Sequence, residues 1–154
     1  PPADVHLLVV GSGSERRRLE RRYKGGRVHF TGAITDEREK LAILRATDAF
    51  FLPSSIEGLS LSLLEAMACG AALVATDVGS DGDAVRGAGV VVDPAELEAE
   101  LAAAIRLVTE MPWLCEELGK RARQRAVERF SLDANLDRLL ELYAELVARK
   151  KPAA

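Results

Sequence analysis

Two glutamates and the peptide amides between them are the groups of this chain best placed, by type and spacing, to do chemistry. They lie in the run Glu57-Gly58-Leu59-Ser60-Leu61-Ser62-Leu63-Leu64-Glu65-Ala66-Met67-Ala68-Cys69-Gly70, with Glu65 eight positions after Glu57. The apolar stretch from Leu61 to Cys69 predicts a helix, Gly70 its end, and Glu57-Gly58 the loop before it. At ~1.5 Å of rise per residue the two carboxylates stand roughly 12 Å apart along the axis, too far for an acid/base pair on one helical turn. That spacing suits gripping opposite ends of one extended ligand. The amides near Leu59 to Leu61 start the helix, lack intrahelical acceptors and sit at its positive end, which fits a phosphate or pyrophosphate. Gly58 lets the backbone come close to such a ligand.

The other reactive residue types carry less. Gly11-Ser12-Gly13-Ser14 follows an apolar strand but lacks the third glycine of a dinucleotide fingerprint and has no acid about twenty residues on, which argues against a dehydrogenase. Asp77, Asp81 and Asp83 have no further ligands at metal-binding spacing, so no metal site is expected. His6 and His29 fall in apolar strands and read as core histidines, Cys69 and Cys115 as reduced packing residues, and Trp113 and Tyr143 as core or interface. The basic stretch Arg16, Arg17, Arg18, Arg21, Arg22, Lys24, Arg27 reads as a solvated helix face, because the chain as a whole carries a net charge of −3. That balance also gives no general attraction for nucleic acid.

These residues need a scaffold, and the hydrophobic pattern supplies one. Val5–Val10 reads as a strand buried on both faces, followed by a helix over about Glu15–Tyr23 and a strand at Val28–Thr31. Asp36 can cap a helix carrying Leu41, Ile43 and Leu44. Asp48–Leu52, Ala72–Thr76 and Val90–Val92 are further strands, with a Gly/Asp-rich loop over Gly79–Gly89. Alternation of strand and helix implies parallel strands with crossover helices, and ligands of such sheets bind outside the carboxyl ends of the strands. From Asp93-Pro94 onward the period is helical: about Ala95–Glu110, Trp113–Arg129 and Asp133–Arg149. The 154 residues fit one domain, 1–150, with 151–154 a frayed tail. No apolar run reaches the about eighteen residues of a membrane span, and the N-terminus shows no signal-peptide pattern, so a cytoplasmic setting is expected.

At this point a family resemblance becomes specific. The Glu57 to Glu65 run resembles the E-x7-E motif of retaining GT-B glycosyltransferases of the glycogen-synthase-like, group 1 type. Leu8-Val9-Val10-Gly11-Ser12-Gly13, Val28-His29-Phe30-Thr31-Gly32, Asp48-Ala49-Phe50-Phe51-Leu52-Pro53-Ser54, Ala72-Leu73-Val74-Ala75-Thr76-Asp77-Val78-Gly79-Ser80 and Phe130-Ser131 continue the match in order. The resemblance implies an α/β fold: a Rossmann-like parallel sheet flanked by helices, the nucleotide-sugar-binding C-terminal domain, with an all-helical C-terminal third.

It also implies roles. Glu57 would contact the donor sugar as the catalytic-site acid, Glu65 the ribose, and the amides of Leu61 and Ser62 the diphosphate, with Gly58 beside them. Ile34 would line the base, and Gly11 and Gly13 would border the same cleft. Ser60 stands where many relatives have Gly or Pro. The substrate would be a UDP- or GDP-sugar, with no bound cofactor and no obligatory metal, and the reaction glycosyl transfer to a hydroxyl with retention.

In the family a strand, an Arg-x(n)-Lys loop and a helix precede the segment matching Leu8 to Gly13, and the acceptor pocket belongs to a separate N-terminal domain. Neither is recognisable here. The expectation is therefore a domain without its first strand and helix, inactive alone, which completes itself by direct strand closure, by strand exchange in a homodimer, or with a partner chain. A membrane surface would be approached through a partner domain. A second reading is a non-catalytic glycosyltransferase-like scaffold or self-association module. A third, half of a nucleotide-sugar epimerase, finds no recognisable acid/base motif.

Overall fold

The computed structural model describes residues 5–23 and 25–150; the expected frayed tail at 151–154 lies outside them, as do Lys24 of the basic stretch and the N-terminal residues 1–4. The chain divides into two units, one ending at Ala46 and one beginning at Thr47.

The first unit runs β1 (Leu7–Val10), α1 (Arg16–Arg22), β2 (Val28–Gly32), α2 (Glu37–Arg45). The strands pair in parallel, Leu7 opposite Val28, Leu8 opposite His29 and Val9 opposite Phe30, before the register shifts at Val10. Asp36 starts α2 as its composition predicts. One carboxylate oxygen accepts the N–H groups of Arg38 and Glu39 at 2.8 and 2.9 Å, satisfying two amides that have no helical partner. The first strand departs from its predicted burial: Leu7, Leu8 and Val10 are exposed. Its apolar run is that of a strand covered on both faces, yet among the described residues β1 has one strand neighbour, β2. For the same reason His6 and His29 are not core residues. Both are exposed, and they pair with each other, Nδ1 of His6 lying 2.9 Å from Nε2 of His29 with the rings stacked.

The second unit runs β3 (Ala49–Leu52), α3 (Leu61–Cys69), β4 (Ala72–Thr76), α4 (Asp81–Val85), β5 (Val90–Val92), α5 (Leu97–Glu110), α6 (Pro112–Arg125), α7 (Leu132–Lys150). All three strands are parallel in the order β3-β4-β5, with Ala49 opposite Ala72 and Val74 opposite Val90. Thus the described strands form two parallel sheets, one in each unit. Central β4 is buried at every position. Its continuous apolar composition is what a strand with a neighbour on each side and helices on its faces requires. Around it, Val92, Ala104, Val108 and Cys115 form the core with Ala72 and Val74.

Helix α3 turns Leu63, Ala66 and Met67 inward at the spacing of one helical face, and all three are fully buried. Covering a leucine of this kind contributes about 1.5–3 kcal/mol. Gly70 ends the helix at φ 82°, a left-handed conformation that a residue without a β-carbon adopts without steric cost, and its N–H donates to the Met67 carbonyl at 3.0 Å. Between β4 and β5 the structure corrects the expected loop: Asp81–Val85 is a short helix, with Asp81, Gly82, Ala84 and Val85 buried. Packing holds it, since Gly and Asp have low helix propensity. Trp113 and Tyr143, expected in a core or interface, are 65% and 56% exposed.

Candidate functional site

The loops that leave β3, β4 and β5 gather at one edge of the second sheet because the strands are parallel. The loop from β3 carries Glu57 and Gly58 and delivers the chain to α3, which Ser60 precedes in an extended conformation (φ −75°, ψ 122°). Two hydroxyls fix its path. Thr76 Oγ1 at the end of β4 donates to the Ser54 carbonyl at 2.6 Å, and Ser54 Oγ donates to Glu57 Oε1 at 2.9 Å. Glu57 is half-buried, Gly58 exposed, and a β-carbon on Gly58 would meet nothing within 4 Å, so that side of the loop is open.

At the start of α3, Leu61 is 74% exposed and Ser62 is also exposed, whereas Leu63 is buried. Among the described residues the N–H groups of Leu61, Ser62 and Leu63 have no hydrogen-bond acceptor; the first helical bond runs from Leu64 N–H to the Ser60 carbonyl at 3.2 Å. These amides carry the positive end of the helix dipole. The amide before them is occupied: Ser60 N–H donates to Asp81 Oδ1 at 2.8 Å. Glu65 falls one turn after Leu61 and three residues after Ser62, hence on the same flank of the helix, away from Leu63, Ala66 and Met67. It is half-buried.

Of the residues predicted from the sequence, Glu57, Gly58, Leu61, Ser62 and Glu65 are therefore brought together along one helix and its entry loop. Gly11, Gly13 and Ile34 belong to the first unit. There Gly11 follows β1 with φ 124°, its N–H donating to the Gly32 carbonyl at 2.8 Å, and Ile34 follows β2, so they occupy the carboxyl ends of those two strands.

Three residues of the second unit matter more than their sequence context indicates. Gly79, at φ 54°, lies so close to the entry loop that a β-carbon would overlap the carbonyl oxygens of Glu57 and Gly58. Ser80 N–H donates to the Gly58 carbonyl at 2.7 Å. Asp81, for which the sequence predicts no role in metal binding, is 1% exposed and bonded to the backbone of Ser60. Only the glycine left a signal in the sequence, a turn residue three positions after the end of an apolar strand. A separate depression lined by Asp77, Arg86, Val91, Asp93, Pro94 and Glu100 includes none of the predicted site residues. Among the described residues no group of three or more potential metal ligands forms, and no helix is long and apolar enough to cross a membrane.

Comparison with known proteins gives consistent matches. Residues 1–111 match the model of the family described as Glycosyl transferases group 1. An MMP alpha-(1->4)-mannosyltransferase of Mycolicibacterium hassiacum is 34% identical over 129 residues, covering 79% of this chain and 30% of that protein. The glycogen synthase of Mycobacterium tuberculosis is 36% identical over 130 residues, covering 80% of this chain and 31% of that protein. The chain thus spans just under a third of the length of these relatives. Among solved structures, sucrose-phosphate synthase from Thermosynechococcus elongatus superposes with a TM-score of 0.77 at 34% identity, over 94% of this chain and 39% of that one. Anabaena HepE in complex with UDP-glucose superposes with a TM-score of 0.76 at 23% identity, over 94% of this chain and 42% of that one, a likeness of fold.

Proposed function

The chain belongs to the group 1 glycosyl transferases and has the GT-B type of parallel α/β fold, and from that premise we propose that residues 1–150 are a domain that binds a nucleoside diphosphate sugar for retaining transfer to an acceptor hydroxyl. The observation that carries this reading is the open start of α3. Exposed Leu61 and Ser62 present acceptor-free amides, with Glu57 in the entry loop before them and Glu65 one turn beyond. A diphosphate on those amides would have its departing charge stabilised by fixed dipoles. Glu57, steadied by Ser54, then faces the sugar, and Glu65 the ribose. In the first unit, taken by itself, Gly11, Gly13 and Ile34 line the carboxyl edge and are assigned to the donor on the resemblance. The HepE complex with UDP-glucose supports a uridine nucleotide as the first ligand to try, with GDP the alternative.

The matched relatives are about three times as long as the aligned stretch. We assign the acceptor side accordingly to a further domain, of the same polypeptide or of a partner chain. Transfer by these 154 residues alone is expected to be negligible. Titration with UDP, GDP and ADP tests the reading. Saturable binding of one of them, weakened about tenfold by Glu65→Ala through loss of a charged hydrogen bond, supports it. Absence of binding by all three favours a non-catalytic scaffold, and appreciable turnover with the purified chain overturns the need for a second domain.

A further inference from the structure

Asp81 is the one fully buried carboxylate of the second unit among the described residues, and it lies against the helix start just described. Its Oδ1 accepts the Ser60 N–H at 2.8 Å, while Oδ2, equally shielded, finds no hydrogen-bond partner among the described residues. A carboxylate sealed from water with half its acceptor capacity unmatched is costly to keep. Among the described residues no lysine or arginine forms a salt bridge with it; Arg86, nearest in sequence, pairs with Asp77 at 3.0 Å instead. What does face Asp81 is the positive end of α3, a helix of nine residues, through the amide of its capping residue.

The same stretch clasps the entry loop at two more points. Ser80 N–H donates to the Gly58 carbonyl at 2.7 Å, and the Gly79 α-carbon rests against the carbonyls of Glu57 and Gly58. Three successive residues, Gly79, Ser80 and Asp81, thus hold Glu57, Gly58 and Ser60 by the backbone. Asp81 is the last of these and the only charged one.

We propose that Asp81 has two effects on the donor site: it positions the Glu57 to Ser60 loop through the Ser60 amide, and its negative charge at the head of α3 weakens the grip of the Leu61 and Ser62 amides on a diphosphate. The inference rests on the donor-binding reading of that helix start. An anion bound to those two amides lies one or two residues from the amide that Asp81 already occupies. Like charges so placed repel, and water, which would screen them, is excluded around Asp81. The positive end of α3 is divided between a resident carboxylate and a transient diphosphate. A nucleoside diphosphate left after transfer is therefore held less tightly than the amides alone would hold it, which favours its release.

Position and charge separate by substitution. Asp81→Asn keeps an oxygen for the Ser60 N–H and removes the charge, whereas Asp81→Ala removes both. Asp83→Asn, at an exposed carboxylate two residues on, serves as the control. Binding of UDP, GDP and ADP to the full chain is measured by calorimetry, with uridine, guanosine and adenosine as uncharged counterparts and thermal melts to verify folding. Asp81→Asn is expected to bind the preferred diphosphate about 3- to 10-fold more tightly than the parent chain, with the nucleoside and Asp83→Asn unchanged. Asp81→Ala is expected to bind more weakly than Asp81→Asn. A merely structural residue gives no variant that binds more tightly.

If Asp81→Asn is folded but binds the diphosphate no better than the parent, the charge effect is refuted while the donor reading stands. Asp81→Ala matching Asp81→Asn refutes the positioning effect. Should Asp81→Asn fail to fold, Asp81→Ser, which offers a neutral hydroxyl acceptor, is held to the same criterion. No diphosphate binding by any of these proteins overturns the donor reading, and this inference with it.

Discussion

Gly119 of α6 meets the carbonyl oxygen of Gly70, the residue that ends α3, with no space between for a side chain: a β-carbon on Gly119 would overlap that oxygen. Two helices can approach this closely only where one of them lacks a β-carbon. The contact sets α3 against α6, and with it the direction in which the first turn of α3 points. Arg123 of α6 reinforces the arrangement by donating to the Ala68 carbonyl at 2.5 Å, one of the last carbonyls of α3 without a helical partner.

Gly119→Ala must therefore push the helices apart or strain both. Overpacking of this sort costs about 1–3 kcal/mol, and for a chain of this size each kcal/mol corresponds to roughly 2–5 °C of melting temperature. Calorimetric melts of the two proteins give the comparison; an unchanged midpoint would show that α6 shifts freely and does not set the pose of α3.

A different result is expected at Gly79. Its φ of 54° strains any side chain, and a β-carbon there collides with the carbonyls of Glu57 and Gly58. Neither carbonyl can yield without moving the loop that carries Glu57. Gly79→Ala should weaken nucleoside diphosphate binding by about tenfold or more, the cost of misplacing a bound geometry, while the core under β4 stays folded. Equal affinities for parent and variant would separate that loop from the ligand.

The sequence made the second unit legible where local chemistry decides structure. Helix α3 and strand β4 have the residue bounds predicted for them, because Gly70 stops the helix through its positive φ and β4 is apolar throughout. Gathering of Glu57 and Glu65 about the start of α3 followed from their spacing alone. Helix α4 was illegible: Asp81-Gly82-Asp83 is a poor helix former, and only burial of Ala84 and Val85 holds it, a cause that lies in residues distant along the chain. The exposure of His6, Leu7 and Leu8 was hidden for a related reason. Hydropathy reports how a strand is built, whereas burial depends on which neighbours it pairs with.

Cys115 supplies a pH-dependent prediction. Its thiol is buried and donates to the Val108 carbonyl at 3.2 Å; burial, and secondarily the negative charge of Asp48, raise its pKa above the ordinary thiol value. The unfolded chain releases this proton near ~8.5, and the folded chain only at higher pH. Unfolding between those values releases a proton, so the contribution is complete below about pH 8.5 and declines as the pH climbs through the folded value. Melting temperature should fall more steeply between about pH 8 and pH 10 for the parent than for Cys115→Ala, and a thiol reagent at neutral pH should modify the half-buried Cys69 first. Parallel pH profiles, or equal labelling rates, would contradict the assignment.

The last prediction concerns two leucines that hydropathy cannot distinguish. Leu63 on α3 is 0% exposed and Leu140 on α7 is 65% exposed, although both are leucines inside helices. Area removed from water decides the cost of losing each. Leu63→Ala deletes buried methyl groups beneath the site and leaves a cavity beside Met67 and Ala66, for a cost of about 2–5 kcal/mol. Leu140→Glu changes a side chain that already meets solvent in this chain and should alter stability by no more than about 0.5 kcal/mol. Urea titrations of the two variants measure both values. A large loss at Leu140 would mean that the face of α7 is covered in solution, and light scattering on the same samples would then identify a second copy of the chain as the cover or eliminate it.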